Sequence, residues 1–213
     1  NGGGHRWLFQ ASLVRMFARR GSGYSARMKK DPGSALIAAV ERGDRAELKR
    51  LLKAGAPVTA RDARRCTALM LAVRKQDAEA VRLLVEAGSD INAQDNIKDS
   101  PFLLAGRSGD VEILKLLIPH GPDFSRVNRY GGSALIPAAE RGHVAAVKLL
   151  IKAGVPVDHV NRLGWTALIE AIVLSDGGKP HQQIVRALID AGADVDLADK
   201  DGVTPLRHAK ARG

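Results

Sequence analysis

One interval constrains this chain more than any other feature. The phrase NRYGGSALI at residues 128–136 returns as NRLGWTALI at 161–169, 33 positions later. The interval holds well beyond these two copies. A hydroxyl residue recurs at Ser34, Thr67, Ser100, Ser133 and Thr166 in steps of 33, then at Thr204 after a step of 38. Two positions on stands a large apolar residue each time, at Leu36, Leu69, Phe102, Leu135, Leu168 and Leu206. Five positions on is alanine: Ala39, Ala72, Ala105, Ala138, Ala171 and Ala209. Three columns in phase mean that one supersecondary unit is stacked on copies of itself, because a unit this small does not bury its apolar face alone. The expected fold is therefore a solenoid with a period of 33 residues.

Local signals give the unit its shape. The hydroxyl column sits where an N-cap oxygen would accept a bond from an orphan amide, so a first, short helix is expected to start there. It stops at Gly43, Gly109 and Gly142, with Gln76 taking that place in the second unit. A residue with positive φ ends a helix at such a point. A second helix follows with apolar residues at helical spacing, as in Val111, Leu114, Leu117 and Ile118, or Val144, Val147, Leu150 and Ile151. It ends at Gly55, Gly88, Gly121, Gly154 or Gly192, after which an extended piece leads to Asp62, Asp95, Asn128, Asn161 or Asp199. Each unit reads helix, turn, helix, extended finger.

With its T-P-L-H-x-A core, this unit resembles the ankyrin repeat. The likeness covers roughly residues 31–213 as five full repeats and a partial sixth. DGVTPLRHA (201–209) is the closest single copy, and VRLLVEAGSDINAQD (81–95) supplies the second helix and finger. RYGGSALIPAAERGH and NRLGWTALIEAI are also similar to segments of a group of bacterial ankyrin proteins, many of them exported. The resemblance implies an all-α repeat solenoid that works by binding another protein. One departure stands out: the family's histidine is replaced by Ile37, Met70, Leu103, Ile136, Ile169 and Arg207, so its hydrogen bonds are absent or remade. Pro137 falls within the first turns of its helix, where a missing N–H costs little.

Composition agrees with a solenoid. Aromatic residues are only 4% of the chain, as expected where thin layers of Ala and Leu replace a wide core. The net charge of +10 is unevenly placed: residues 1–30 hold seven basic residues and no acid, which leaves 26 basic against 23 acidic residues over the repeats. The high charge thus belongs mostly to the leader and does not by itself make the solenoid a nucleic-acid binder. That leader, NGGGHRWLFQASLVRMFARRGSGYSARMKK, begins with Asn, so it is processed, truncated or built. Trp7, Leu8, Leu13, Val14 and Phe17 against Arg6, Arg15, Arg19 and Arg20 would make an amphipathic helix. Four origins stay open: a tag scar or out-of-context leader, a helix capping the first repeat, an organellar targeting peptide, or a membrane-surface helix. A periplasmic, exported or cytoplasmic bacterial location is favoured. No apolar run is long enough to span a membrane.

A search for catalytic chemistry returns little. The chain has no phosphate-binding Gly-rich loop, CxxC, HExxH or GxSxG. Its six histidines are scattered over different units, and His143 fills the slot after the helix-ending Gly where the ankyrin consensus also has His, so a structural role is expected. No metal, cofactor or small-molecule substrate is expected. Cys66, the single cysteine, excludes an internal disulfide, and beside the Thr67 cap it is either an exposed thiol or a bland loop residue. Glu170 and His208 occupy the same column in successive layers, and a structural contact between them is expected in preference to acid–base catalysis.

Function is therefore sought in the positions that vary. In ankyrin repeats the finger tips and the exposed side of the first helix line a concave groove. By column, the fingers supply Arg61, Arg64, Asn96, Ile97, Arg129, Tyr130, Arg162, Leu163 and Trp165, and the first-helix ends supply Arg42, Arg74, Lys75, Arg107, Glu140 and Arg141. The expected partner-binding set is Arg64, Arg74, Lys75, Ile97, Arg107, Arg129, Tyr130, Arg141, Arg162, Leu163 and Trp165. Tyr130, Leu163 and Trp165 would form an apolar centre ringed by guanidiniums, which suits a protein with an acidic or mixed apolar and acidic surface. The alternative is binding of nucleic acid or another polyanion through the basic groove and leader. The five-residue excess falls in IVLSDGGKPHQQIV (172–185), where residues 174–180 are expected to project as a turn-rich loop and offer a second contact.

Overall fold

The computed structural model describes residues 31–212; the readings of the leader lie outside them. Helices come in pairs. The first helices of successive units are α1 (Pro32–Arg42), α3 (Ala68–Arg74), α5 (Pro101–Ser108), α7 (Leu135–Glu140), α9 (Ala167–Val173) and α11 (Pro205–Arg212). The second helices are α2 (Arg45–Lys53), α4 (Ala78–Glu86), α6 (Val111–Leu117), which runs into a 3₁₀ turn at Ile118–His120, then α8 (Val144–Lys152) and α10 (Lys179–Asp190). Each first helix packs on the next first helix and each second helix on the next second helix, so the molecule is two rows of helices. It is an all-α solenoid. Among the described residues the only extended pairing outside the helices is an isolated bridge between Arg61 and Thr67.

The core lies between the two rows, and the columns of the repeat fill it. Leu36, Leu69, Phe102, Leu135 and Leu168 are buried, as are Ala39, Ala72, Ala105, Ala138 and Ala171. Alanine is required there because adjacent first helices must approach closely, and a larger side chain would hold the layers apart. The column fails at its last member. Leu206 is 59% exposed.

The capping column holds where the hydroxyl reaches the third amide of its helix. Thr67, Ser100, Thr166 and Thr204 accept from the N–H of Met70, Leu103, Ile169 and Arg207 at 3.2–3.3 Å. Two units depart from this expectation. In the first, the helix starts a turn earlier: Pro32 takes the first helical position and Asp31 caps it, accepting from Ser34 N–H at 3.0 Å. In the fourth, α7 begins only at Leu135, and the buried Ser133 hydroxyl has no hydrogen-bond partner. Pro137 is then the third residue of its helix, where no intrahelical N–H bond is lost. The first helices end as expected, with positive φ at Gly43, Gly109, Gly142 and, at 55°, Gln76.

The fingers owe their shape to the Asx column. In each, the side-chain oxygen accepts two amides, two and four residues on. Asn128 takes those of Tyr130 and Gly132 at 2.8 and 3.0 Å, and Asn161 those of Leu163 and Trp165 at 2.9 and 3.0 Å. Asp62, Asp95 and Asp199 do the same. This closes a tight loop whose fourth residue has positive φ, held by Gly131, Gly164 and Gly202 but by Arg65 and Lys98 in the first two fingers. Neighbouring fingers are tied by main-chain bonds, Asn96 N–H to Arg64 O at 3.0 Å and Arg162 N–H to Tyr130 O at 2.9 Å.

The five extra residues are only partly a loop. Residues 174–178 are, but Lys179 and Pro180 begin α10, which at 12 residues is longer than the nine of α2, α4 and α8. Pro suits a first turn, so the insertion extends the helix instead of ending in the expected turn. The added turn leans back on the preceding unit, where the His181 Nε2 meets the Glu140 carbonyl at 3.0 Å. Beside it lies an open cleft of about 770 Å³ between α9, α10 and α11, lined by Ile172, Val185, Ile189 and Ala209 among others.

Candidate functional site

Rigidly closed loops present the finger tips, and three of them carry apolar side chains that stay in solvent. Tyr130 is 60% exposed, Leu163 58% and Ile97 38%, on three successive units. The two most exposed are joined through the Tyr130 to Arg162 main-chain bond, so the spacing of their backbones is set by the ladder. Arg129 is bound to its neighbour: its guanidinium lies 4.7 Å from the Tyr130 ring centroid, and its Nη2 donates to the Tyr130 hydroxyl at 2.6 Å. Arg64 and Arg162 are exposed at the tips beside them.

Trp165 is placed differently. It is half-buried, and its ring meets the His208 ring of the next unit edge-on at 6.4 Å between centroids. The residue before each cap lies in the seam between layers: Cys66 is fully buried there and Asp99 is 5% exposed. Trp165 therefore belongs to layer packing more than to the apolar tip. Cys66 is likewise no exposed thiol. Its Sγ donates weakly to Asp95 Oδ2 at 3.7 Å, and burial pushes its ionisation upward, away from reactivity.

The first-helix arginines divide into engaged and free. Arg74 Nη2 is 2.7 Å from Asp95 Oδ2, and Arg107 Nη1 is 3.1 Å from Asp99 Oδ2. Both acids are buried, so each arginine offsets a carboxylate that would otherwise be desolvated without a partner. Burial raises the Asp99 carboxyl and Asp95 adds to that, while the Arg107 charge pulls it back. Arg141 makes a different contact, Nη1 to the Arg107 carbonyl at 3.1 Å. Lys75 stands exposed at the end of α3. Sequence reading had no sight of Asp95 and Asp99 as partners, since Asp95 is 21 residues from Arg74 and meets it only once the units stack.

Glu170 and His208 do not bond to each other as expected. Each turns to the Asx residue of its own finger: Asn161 Nδ2 donates to Glu170 Oε1 at 2.8 Å, and His208 Nε2 is 2.7 Å from Asp199 Oδ2. Each partner is nine residues away along the chain, in the finger that leads into the same helix. Burial, with added repulsion from Glu140 of the preceding unit, pushes the Glu170 carboxyl up to about 7. Among the described residues no cluster of three His, Cys, Asp or Glu is placed to hold a metal, and no helix is long and apolar enough to cross a membrane.

Comparison with known proteins decides the family. A model described as ankyrin repeats (3 copies) matches residues 9–95 and 102–199, and one described as ankyrin repeats (many copies) matches residues 75–118. The chain belongs to the ankyrin repeat family. A crystallised ankyrin repeat domain from Acinetobacter baumannii AYE is 53% identical, with a TM-score of 0.81 over 84% of this chain and 91% of that one. The ankyrin repeat protein EF0377 is 41% identical, with a TM-score of 0.83 over 85% of this chain and 92% of its own. The ankyrin repeat protein YahD of Escherichia coli (strain K12) is 54% identical over 44 residues, which are 21% of this chain and 22% of that relative.

Ankyrin repeats are in general protein–protein interaction modules, and their fold is typically a scaffold without catalysis. In this ankyrin array the shared letters hold layer to layer. The finger-tip letters that differ between units, such as Arg64, Ile97, Tyr130 and Leu163, are left in water, whereas Cys66, Asp99, Gly132 and Trp165 before the caps turn into the seam.

Proposed function

We propose that the protein is a non-enzymatic interaction module that grips one partner protein across the finger tips and the exposed ends of the first helices. The observation that carries this reading is the row of exposed apolar tips, Ile97, Tyr130 and Leu163, on loops whose geometry is fixed by paired Asx bonds. Large apolar side chains held rigidly in solvent lose little entropy when covered, and aromatic anchors contribute most of the energy of such contacts. Arg64, Arg129 and Arg162 stand exposed on the fingers, with Lys75 and Arg141 exposed at the first-helix ends, and together they favour a partner whose rim is acidic. Arg74 and Arg107 are held by Asp95 and Asp99, and Trp165 packs on His208 in the seam between layers. The engagement of Arg74 and Arg107 by buried acids lowers the free positive charge of the groove, which weighs against a polyanion such as nucleic acid as its occupant.

The test is affinity capture from a bacterial lysate with the wild type and with Tyr130→Ala/Leu163→Ala. Both side chains are exposed, so the variant should melt like the wild type. A partner held by the wild type and released by the variant supports the reading. Equal capture by both would place binding elsewhere.

A further inference from the structure

The ends of α3, α5 and α7 converge on a recess of about 220 Å³ lined by Val73, Arg74, Leu104, Arg107, Ser108 and Arg141. Its composition is divided. Val73 and Leu104 are almost wholly buried and offer an apolar floor, while three guanidiniums from three successive units form the rim. Two of these cations have carboxylates behind them, Asp95 for Arg74 and Asp99 for Arg107. The third has none. Arg141 donates to the Arg107 carbonyl, and among the described residues no carboxylate lies within ion-pair distance of it. A guanidinium carries five donors in a planar fork, so the contacts described leave Arg141 with donors to spare. Ser108 adds no donor, because its hydroxyl is turned to the Ala105 carbonyl at 3.1 Å.

We propose that this recess receives a glutamate side chain of the partner, its methylenes on Val73 and Leu104 and its carboxylate on the forks of Arg107 and Arg141. The proposal rests on reading the groove as a protein-binding surface and names one contact within it. Charge alone would admit any anion. The lining is partly apolar, where the edges of Val73 and Leu104 meet the arginine stems, so a carboxylate on two methylenes meets both kinds of surface whereas an inorganic or nucleic-acid phosphate meets only the cations. The carboxylate geometry matches two parallel guanidinium N–H groups. Three cations facing two buried carboxylates leave one positive charge for the incoming acid to neutralise.

A small probe tests this without any partner in hand. The capped peptide acetyl-Ala-Glu-Ala-amide is titrated into nitrogen-labelled protein at constant ionic strength, and the arginine Nε–Hε signals are followed. Saturable shifts confined to Arg107, Arg141 and their neighbours are expected, with none from acetyl-Ala-Gln-Ala-amide. Arg141→Gln should weaken the probe about ten-fold, the usual order for a lost charged hydrogen bond. Arg186→Gln, on the outer helix row, should leave it unchanged. Arg141→Lys keeps the charge and loses the fork, so it should also bind more weakly; equal binding would overturn the forked contact. Shifts spread over all arginines, an equal response to inorganic phosphate, or no saturable shift at millimolar peptide would overturn the proposal. Failure here leaves capture through Tyr130 and Leu163 standing, and failure of that capture leaves this titration readable.

Discussion

Glu170 should make the stability of this protein fall as pH rises through neutrality, and Glu170→Gln should remove that fall. The carboxyl is 6% exposed, accepts one bond from Asn161 and faces Glu140, and its ionisation is pushed from 4.5 up to about 7. Below pH 4.5 it is neutral whether the chain is folded or not. Between 4.5 and about 7 the folded state keeps the proton and the unfolded state has released it, so stability declines with pH. Above about 7 both states are charged and the folded one bears the full cost of a buried anion. At about 1.4 kcal/mol per pH unit, the loss is about 3 kcal/mol by pH 8. For a domain of this size that corresponds to a melting point lower by roughly 6–12 °C. Glutamine keeps an oxygen for Asn161 and cannot ionise. Thermal unfolding of wild type and variant is compared at pH 5 and pH 8, and the histidines, common to both, cancel in the difference. The variant should melt several degrees higher at pH 8 and level or lower at pH 5. A difference that does not change with pH would refute the reasoning.

Other expectations come from the caps, the finger tips and the buried thiol. Thr67→Ala should cost about 1 kcal/mol in urea unfolding, whereas Ser133→Ala, whose hydroxyl caps nothing, should cost close to none. Lys98→Gly should raise stability by about 1 kcal/mol because Lys98 sits at φ 62°, while Gly164→Ala should lower it, since φ is 81° and a Cβ there would lie 2.8 Å from Lys200 N. Cys66 should be silent to a thiol reagent in the native protein and react fully in urea; a fast native reaction would contradict its burial.

The repeat was legible because stacking identical layers leaves the same demand at the same place, and Leu36 to Leu168 and Ala39 to Ala171 answer it. Helix ends were legible in part. Gly43, Gly109 and Gly142 carry their backbone preference in the residue itself, but whether a hydroxyl caps depends on where the helix begins, which Pro32 moved in the first unit. The groove was less open to reading. A column shows which positions face the next layer only if its members are compared for size and polarity, and Cys66, Asp99, Gly132 and Trp165 are too unlike to reveal the seam they share. The arginines of the first helices were found, but not their acids, because Asp95 reaches Arg74 only across stacked units and Asp99 reaches Arg107 only once its finger turns onto the helix that follows.

The claim on which the account depends is that a partner lies over the finger tips, and photocrosslinking from single positions tests it most directly. A photoreactive residue is placed at Leu163 on a tip and, separately, at Lys148 on the exposed face of α8, and each protein is irradiated in the lysate that supplies the partner. A crosslinked band from position 163 with none from position 148 is the expected result. Crosslinks from position 148 alone, or equally from both, would contradict it.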